Sequence, residues 1–156
     1  MRRRTIAREV ALQFLYQLDL RGKAVLEDLG AFLAEASRDR QVQDFALRLV
    51  SGTKELRPEL DQMLGKVARN WDLRRMATID RNVLRMAIFE LLYCDDIPPK
   101  VSINEAIELG KKFSTANSGA FINGILDRVK NEHLESSKAS DSEADSKPSG
   151  SQPKEA

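Results

Sequence analysis

Cysteine and histidine are almost absent from this chain. With one of each, Cys94 and His133, no intramolecular disulfide can form and no CxxC metal site exists. A zinc or histidine-based catalytic cluster lacks ligands for the same reason. Long uncharged apolar runs are also missing, so no segment reaches the roughly 20 residues of a transmembrane helix. The N-terminal arginines lead into an amphipathic segment containing Arg8 and Glu9, which is not how a secretory leader reads. The expectation is a soluble, cytoplasmic protein with no membrane contact. There is no sustained β alternation and no internal repeat. Around Ser118-Gly119 and Asn123-Gly124 the P-loop spacing and its Lys-Ser/Thr are lacking. Cys94 sits beside Asp95 and Asp96, whose charge disfavours a thiolate nucleophile. No catalytic residue, metal site or cofactor signature emerges, and the chain is expected not to be an enzyme.

What remains is helical periodicity. The 156 residues suffice for one domain with a real core. Ala7, Val10, Ala11, Phe14, Leu15 and Leu18 form the buried stripe of a first helix over 5–21, with Gly22 placed to end it through a left-handed cap. A second amphipathic helix is expected over 24–36. Ser37-Arg38-Asp39 then caps a third carrying Val42, Phe45, Ala46, Leu49 and Val50. Gly52 and Pro58 mark a break before the fourth, with Leu60, Leu64 and Val67 inward and an exit at Asn70-Trp71-Asp72, Trp71 being a packing residue. Thr78 to Tyr93 is the most apolar segment, the signature of a helix surrounded by others. Asp95-Asp96-Ile97-Pro98-Pro99 stops it.

Two further helices follow. Ser102 and Glu105 have capping-box spacing, and Ile103, Ala106, Ile107, Gly110 and Phe113 recur on one face. The stretch from Ser114 to Gly119 interrupts the pattern, and Asn117 or Ser118 is placed to cap the last helix. There Ile122, Ile125, Leu126 and Val129 share one side, while Phe121 stands about a quarter-turn off it. An aromatic at the core's edge, near a helix N-terminus, suits a nucleic-acid base. The class is all-α, a bundle of about seven helices. Residues 1–134 form the domain, and 135–156, polar with alanine the only apolar type from about Ser136, are expected to be a disordered tail.

Charge is unevenly spread. Arg2, Arg3, Arg4, Arg8, Arg21 and Lys23 face only Glu9 and Asp19 at the start, while the tail is mildly acidic. Arg4 and Arg8 are one turn apart, extending the cluster along a helical face. Such a start can serve solubility alone, and it also fits a polyanionic partner.

Several stretches bear a family resemblance: Arg3-Arg4 through Ala7-Arg8-Glu9 to Leu15-Tyr16; Val83-Leu84-Arg85 with Phe89-Glu90-Leu91; Ser102 to Leu109; and Phe121-Ile122-Asn123-Gly124-Ile125-Leu126-Asp127. Over roughly residues 2–131 the chain resembles the NusB family of transcription antitermination factors. The resemblance implies two three-helix subdomains sharing the long apolar helix. It implies binding of boxA-type single-stranded RNA from ribosomal RNA leaders, together with the ribosomal protein NusE, in the RNA polymerase antitermination complex. Carried onto this sequence, Arg2, Arg3, Arg4 and Arg8 would neutralise phosphates, Phe121 would stack a base, and Asn117 and Ser118 would offer hydrogen bonds. The protein partner would meet Tyr16, Asp80 and Leu84. Ala120 stands where members often carry lysine, which removes one cation from the phosphate path. Asn117 stands where several carry an acid, which relieves one repulsion. Two other readings stand beside this one. One is a helical protein-interaction module or homodimer without direct RNA binding. The other is the related N-terminal domain of an rRNA cytosine methyltransferase, for which the remaining length is expected to leave no room.

Overall fold

The computed structural model describes residues 2–68 and 75–146, with side chains through His133. Seven α-helices are present among them: α1 (Arg2–Arg21), α2 (Leu29–Ala36), α3 (Arg40–Glu55), α4 (Arg57–Ala68), α5 (Thr78–Tyr93), α6 (Pro99–Phe113) and α7 (Ser118–Ser146). A 3-10 turn, Lys23–Asp28, occupies the first half of the segment expected to be one continuous helix. Gly22 ends α1 at a positive φ of 86°, and its N–H donates to the Leu18 carbonyl at 2.9 Å. A side chain would strain that conformation. Trp71 and the expected exit around it lie outside the described residues.

Two helix starts follow directly from local chemistry, since the first N–H groups of a helix lack partners within it. Asp39 caps α3, its Oδ1 accepting from the Gln41 N–H at 2.9 Å. Pro99 opens α6, where a missing N–H costs nothing and the fixed φ suits a first turn. The sequence places that start at Ser102; the structure moves it one turn earlier and gives Ser102 a different task.

α1, α2 and α3 pack on one another, and α4, α6 and α7 gather around α5, which also reaches α1 and α3. This is the two-subdomain arrangement with a shared central helix. Every residue of α5 from Asn82 to Glu90 is buried. Two glycines permit the closest approaches. A Cβ at Gly52 would overlap the Phe89 ring, and one at Gly110 would overlap Ile122 Cδ1, so α3 meets α5 and α6 meets α7 through bare backbone. α7 runs to Ser146, beyond the point near Ser136 where composition predicts loss of order. Glu135, Lys138, Ala139, Glu143 and Ala144 are adequate helix formers, and a helix meets its hydrogen bonds internally. Residues 147–156 of the expected tail lie outside the described ones. No helix among the described residues is long and apolar enough to cross a membrane.

Candidate nucleic-acid interface

The arginines at the start of α1 divide into two kinds. Arg2, Arg3 and Arg4 are exposed, whereas Arg8 is 3% exposed. The expectation that Arg8 extends a phosphate-binding cluster is therefore corrected. Its Nε and Nη2 donate to the two carboxylate oxygens of Glu90 at 2.9 and 2.8 Å, a bidentate pair inside the core. Its Nη1 reaches Glu105 at 3.3 Å. Ser102 donates to Glu90 at 2.8 Å, and Thr5 donates to Glu105 at 2.8 Å. Ser102 and Glu105 are thus no capping box. Their spacing puts both on the face of α6 that meets α1 and α5, where they complete a buried polar network. Burial would lower the pKa of Arg8, but hydrogen bonds and charge from Glu90, then Glu105, raise it above its ordinary value. This guanidinium cannot lose its proton and has little surface to offer a phosphate.

The exposed arginines have carboxylate partners of their own. Arg3 Nε lies 2.6 Å from Asp39, and Arg4 Nη2 lies 3.6 Å from Asp96. Arg4 also stacks 4.4 Å over the Phe45 ring, beside Arg48 at 5.8 Å. Arg48 grips Asp96 with both Nη atoms, at 2.6 and 3.1 Å. Sequence reasoning missed Arg48 and Phe45. They are far from the arginine run in the chain, and α3 reads simply as an amphipathic core helix.

A second group lies at the turn between α6 and α7. Asn117 is exposed there, and Phe121 is half-buried against the core. Both line a groove of about 240 Å³ with Arg75, Met76, Asp80 and Thr115. Ile122, Ile125, Leu126 and Val129 are all 2% exposed or less, so the aromatic does stand out of line with the core stripe. Ser118 does not point to solvent as expected. It is 3% exposed, accepts from the Thr115 N–H at 3.3 Å and donates to Asp80 at 3.3 Å. Its hydroxyl fastens the turn to α5, which leaves Asn117 as the turn's outward polar group.

The surface assigned to a protein partner also changes. Leu84 is fully buried, because α5 is covered on all sides at that level, and it cannot contact a partner. Asp80 faces the Ser118 turn; its Oδ1 is buried and has no hydrogen-bond partner among the described residues. Tyr16 is half-buried and borders an apolar groove of about 260 Å³ with Phe32, Ile79 and Phe113. Cys94 is buried, and burial pushes its thiol pKa up, so it stays protonated at neutral pH. Among the described residues no group of His, Cys, Asp and Glu could hold a metal ion.

Comparison with known proteins finds matches in sequence and in fold. The profile of the NusB family matches residues 5–131. The transcription antitermination protein NusB of Syntrophus aciditrophicus is 44% identical over 129 residues, covering 83% of this chain and 80% of that protein. Its counterpart from Anaeromyxobacter dehalogenans is 51% identical over 128 residues, covering 81% and 89%. Among solved structures, NusB of T. maritima superposes with a TM-score of 0.73 at 39% identity, covering 83% of this chain and 91% of that one. A structure of the antitermination factors NusB and NusE in complex with dsRNA gives a TM-score of 0.77 at 27% identity, covering 85% and 98%.

Proposed function

The chain belongs to the NusB family, and from that premise we propose that it is a transcription antitermination factor that binds boxA-type single-stranded RNA together with NusE. It acts in the RNA polymerase antitermination complex, in the cytoplasm, through binding and without catalysis. The observation that carries this reading is the family match over residues 5–131, nearly the whole described chain. The geometry supports a division of labour. Arg2, Arg3 and Arg4 supply exposed positive charge to phosphates. Phe121, held at its base by the core, offers a ring face to a splayed base, with Asn117 beside it as donor and acceptor. NusE meets the apolar groove at Tyr16 and Ile79, where an open apolar surface remains to be covered.

The test is a titration of short fluorescent boxA RNA with the full chain, alone and with NusE, across a salt series. Saturable binding that tightens when NusE is present is the expected outcome. Failure to bind at low salt, even with NusE, would overturn the reading. A stable homodimer by light scattering under those conditions would instead favour a protein-interaction module.

A further inference from the structure

On the face where α1 crosses α3, Arg3, Arg4, Gln41, Phe45 and Arg48 line a groove of about 330 Å³. Three features set it apart from an ordinary charged surface. First, its cations come from two helices far apart in sequence. Second, Arg4 and Arg48 both lie against the Phe45 ring, at 4.4 and 5.8 Å from its centre, and both reach the carboxylate of Asp96, which brings the two guanidinium groups together. Third, the exposed arginines are matched by carboxylates at the groove's margins: Asp39 on Arg3, and Asp96 on both Arg4 and Arg48. The one acid on the lining itself, Asp44, turns toward Arg40 at 3.6 Å.

A guanidinium fork that accepts a carboxylate in bidentate geometry presents the same pair of N–H groups a phosphate uses. The Arg48–Asp96 pair has that geometry, with contacts of 2.6 and 3.1 Å. It is also exposed, with Arg48 at 38% and Asp96 at 50% of their side-chain surface. Exposed pairs of this kind contribute little to stability, so exchanging one anion for another costs little. The contrast is Arg8, whose carboxylate partner Glu90 is buried with it and cannot be exchanged.

We propose that this groove is a phosphate-binding stretch of the RNA path, that Arg48 on α3 is an RNA-contacting residue, and that Asp96 and Asp39 are tethered competitors which RNA phosphates displace. The inference rests on the RNA-binding reading above and extends the path from α1 onto α3. It gives the carboxylates a purpose: an arginine patch partly neutralised at rest holds non-specific polyanions weakly, and only a backbone that reaches several guanidinium groups at once displaces both carboxylates.

The experiment is a titration of the same labelled RNA, with NusE present, against Arg48→Ala, Asp96→Asn and Lys66→Ala. Lys66 is an exposed cation on α4, paired with Glu132 at 3.4 Å, and it controls for removal of one positive charge anywhere on the surface. Thermal melts establish that each variant is folded. Arg48→Ala should weaken binding roughly three- to tenfold and reduce the salt slope by about 0.7, the value for one phosphate contact on a single strand. Asp96→Asn should tighten binding several-fold at low salt, and Lys66→Ala should do neither. Arg48→Ala binding like Lys66→Ala overturns the proposal, as does weakening by Asp96→Asn. A loss confined to NusE affinity overturns it in favour of a protein-binding groove. If the parent itself binds no RNA, the functional reading falls and the groove with it; parental binding with an indifferent Arg48→Ala removes the groove alone.

Discussion

Arg4 and Arg8 stand one helical turn apart on α1, both over the ring of Phe45, at 4.4 and 5.3 Å. Arg4 keeps 47% of its side chain exposed and touches Asp96 at 3.6 Å; Arg8 keeps 3% and is clamped by Glu90 at 2.8 Å. The same residue type, on the same face of one helix, thus serves two regimes. In the first, water screens the pair and the guanidinium stays available. In the second, the charge has been taken out of water and only its full set of partners makes that tolerable. The N-terminal arm is where these regimes meet, so the buried pair holds in place the helix whose tip carries the exchangeable charges.

Removing each arginine in turn puts the two regimes to the test. Arg8→Ala leaves Glu90 buried with only Ser102 as a neutral donor, and should cost about 3–5 kcal/mol of stability in a denaturant melt. Glu90→Gln should be strongly destabilising as well, since Arg8 then keeps only the partly exposed Glu105. Arg4→Ala should barely move the midpoint. If Arg8→Ala and Arg4→Ala behave alike, the distinction drawn from burial is wrong.

This division was only half legible in the sequence. Periodicity located the helices well, because the stripe residues of α1, α3 and α5 are mostly those that are buried. It could not tell Arg8 from Arg4, since what separates them is Glu90, which lies 82 residues from Arg8 in the chain. Ser102 and Glu105 misled for a related reason. Capping-box spacing is three residues, and three residues is also nearly one helical turn, so the same pair suits a buried face of a helix already under way. Leu84 shows the limit of carrying a surface over from a resemblance, because lying one turn beyond the half-buried Asp80 on α5 says nothing about its own exposure. Phe121 was better placed: an aromatic off the axis of a strong apolar stripe is a local signal, and the structure leaves it half-buried as the angle implied.

A second comparison separates Phe121 from Ile125. Ile125 is 2% exposed, so Ile125→Ala should cost roughly 2–5 kcal/mol of stability. Phe121→Ala should cost much less stability, and instead about 1–3 kcal/mol of RNA affinity if a base stacks on it. Melts and RNA titrations of both variants at one salt concentration decide the matter. A Phe121→Ala protein that melts far below the parent yet binds RNA normally would put Phe121 in the core.

The exposed arginines should show their effect in salt dependence. Replacing Arg2, Arg3 and Arg4 together with alanine should weaken binding across RNA sequences alike. It should also flatten the salt slope by about 0.7 for each phosphate left without its cation. Their carboxylate partners add a pH dependence. The Arg48 hydrogen bond holds Asp96 down to about 2 from an ordinary 3.8. The folded pKa is below the unfolded one, so this contribution is complete above about 3.8 and disappears as pH falls through about 2. Asp39 is lowered by Arg3 in the same sense. Melting temperature against pH should therefore fall less steeply on the acid side for Asp96→Asn than for the parent, with the two curves parallel near neutrality.

The smallest effect is expected at the other end of the molecule. α7 is anchored along its first half: Val129 is fully buried, Arg128 donates to the Val67 carbonyl at 3.2 Å, and Glu132 reaches Lys66 at 3.4 Å. From Ser136 on, alanine is the only apolar residue type, so no stripe is available to pack on the body. The helical stretch to Ser146 then rests on propensity alone, which is marginal in water for so short an extension. Deleting residues 136–156 should leave the melting temperature unchanged while removing a small share of the helical circular dichroism signal. The deleted segment holds Asp141, Glu143, Asp145 and Glu155 against Lys138, Lys147 and Lys154, four acids and three bases, or a net charge of −1. RNA affinity should therefore rise by no more than about twofold at low salt, and not at all at high salt, where charges at that distance are screened. A fall of many degrees in the melt would show instead that the segment docks on the domain. Its helix would then be held by packing that composition does not reveal.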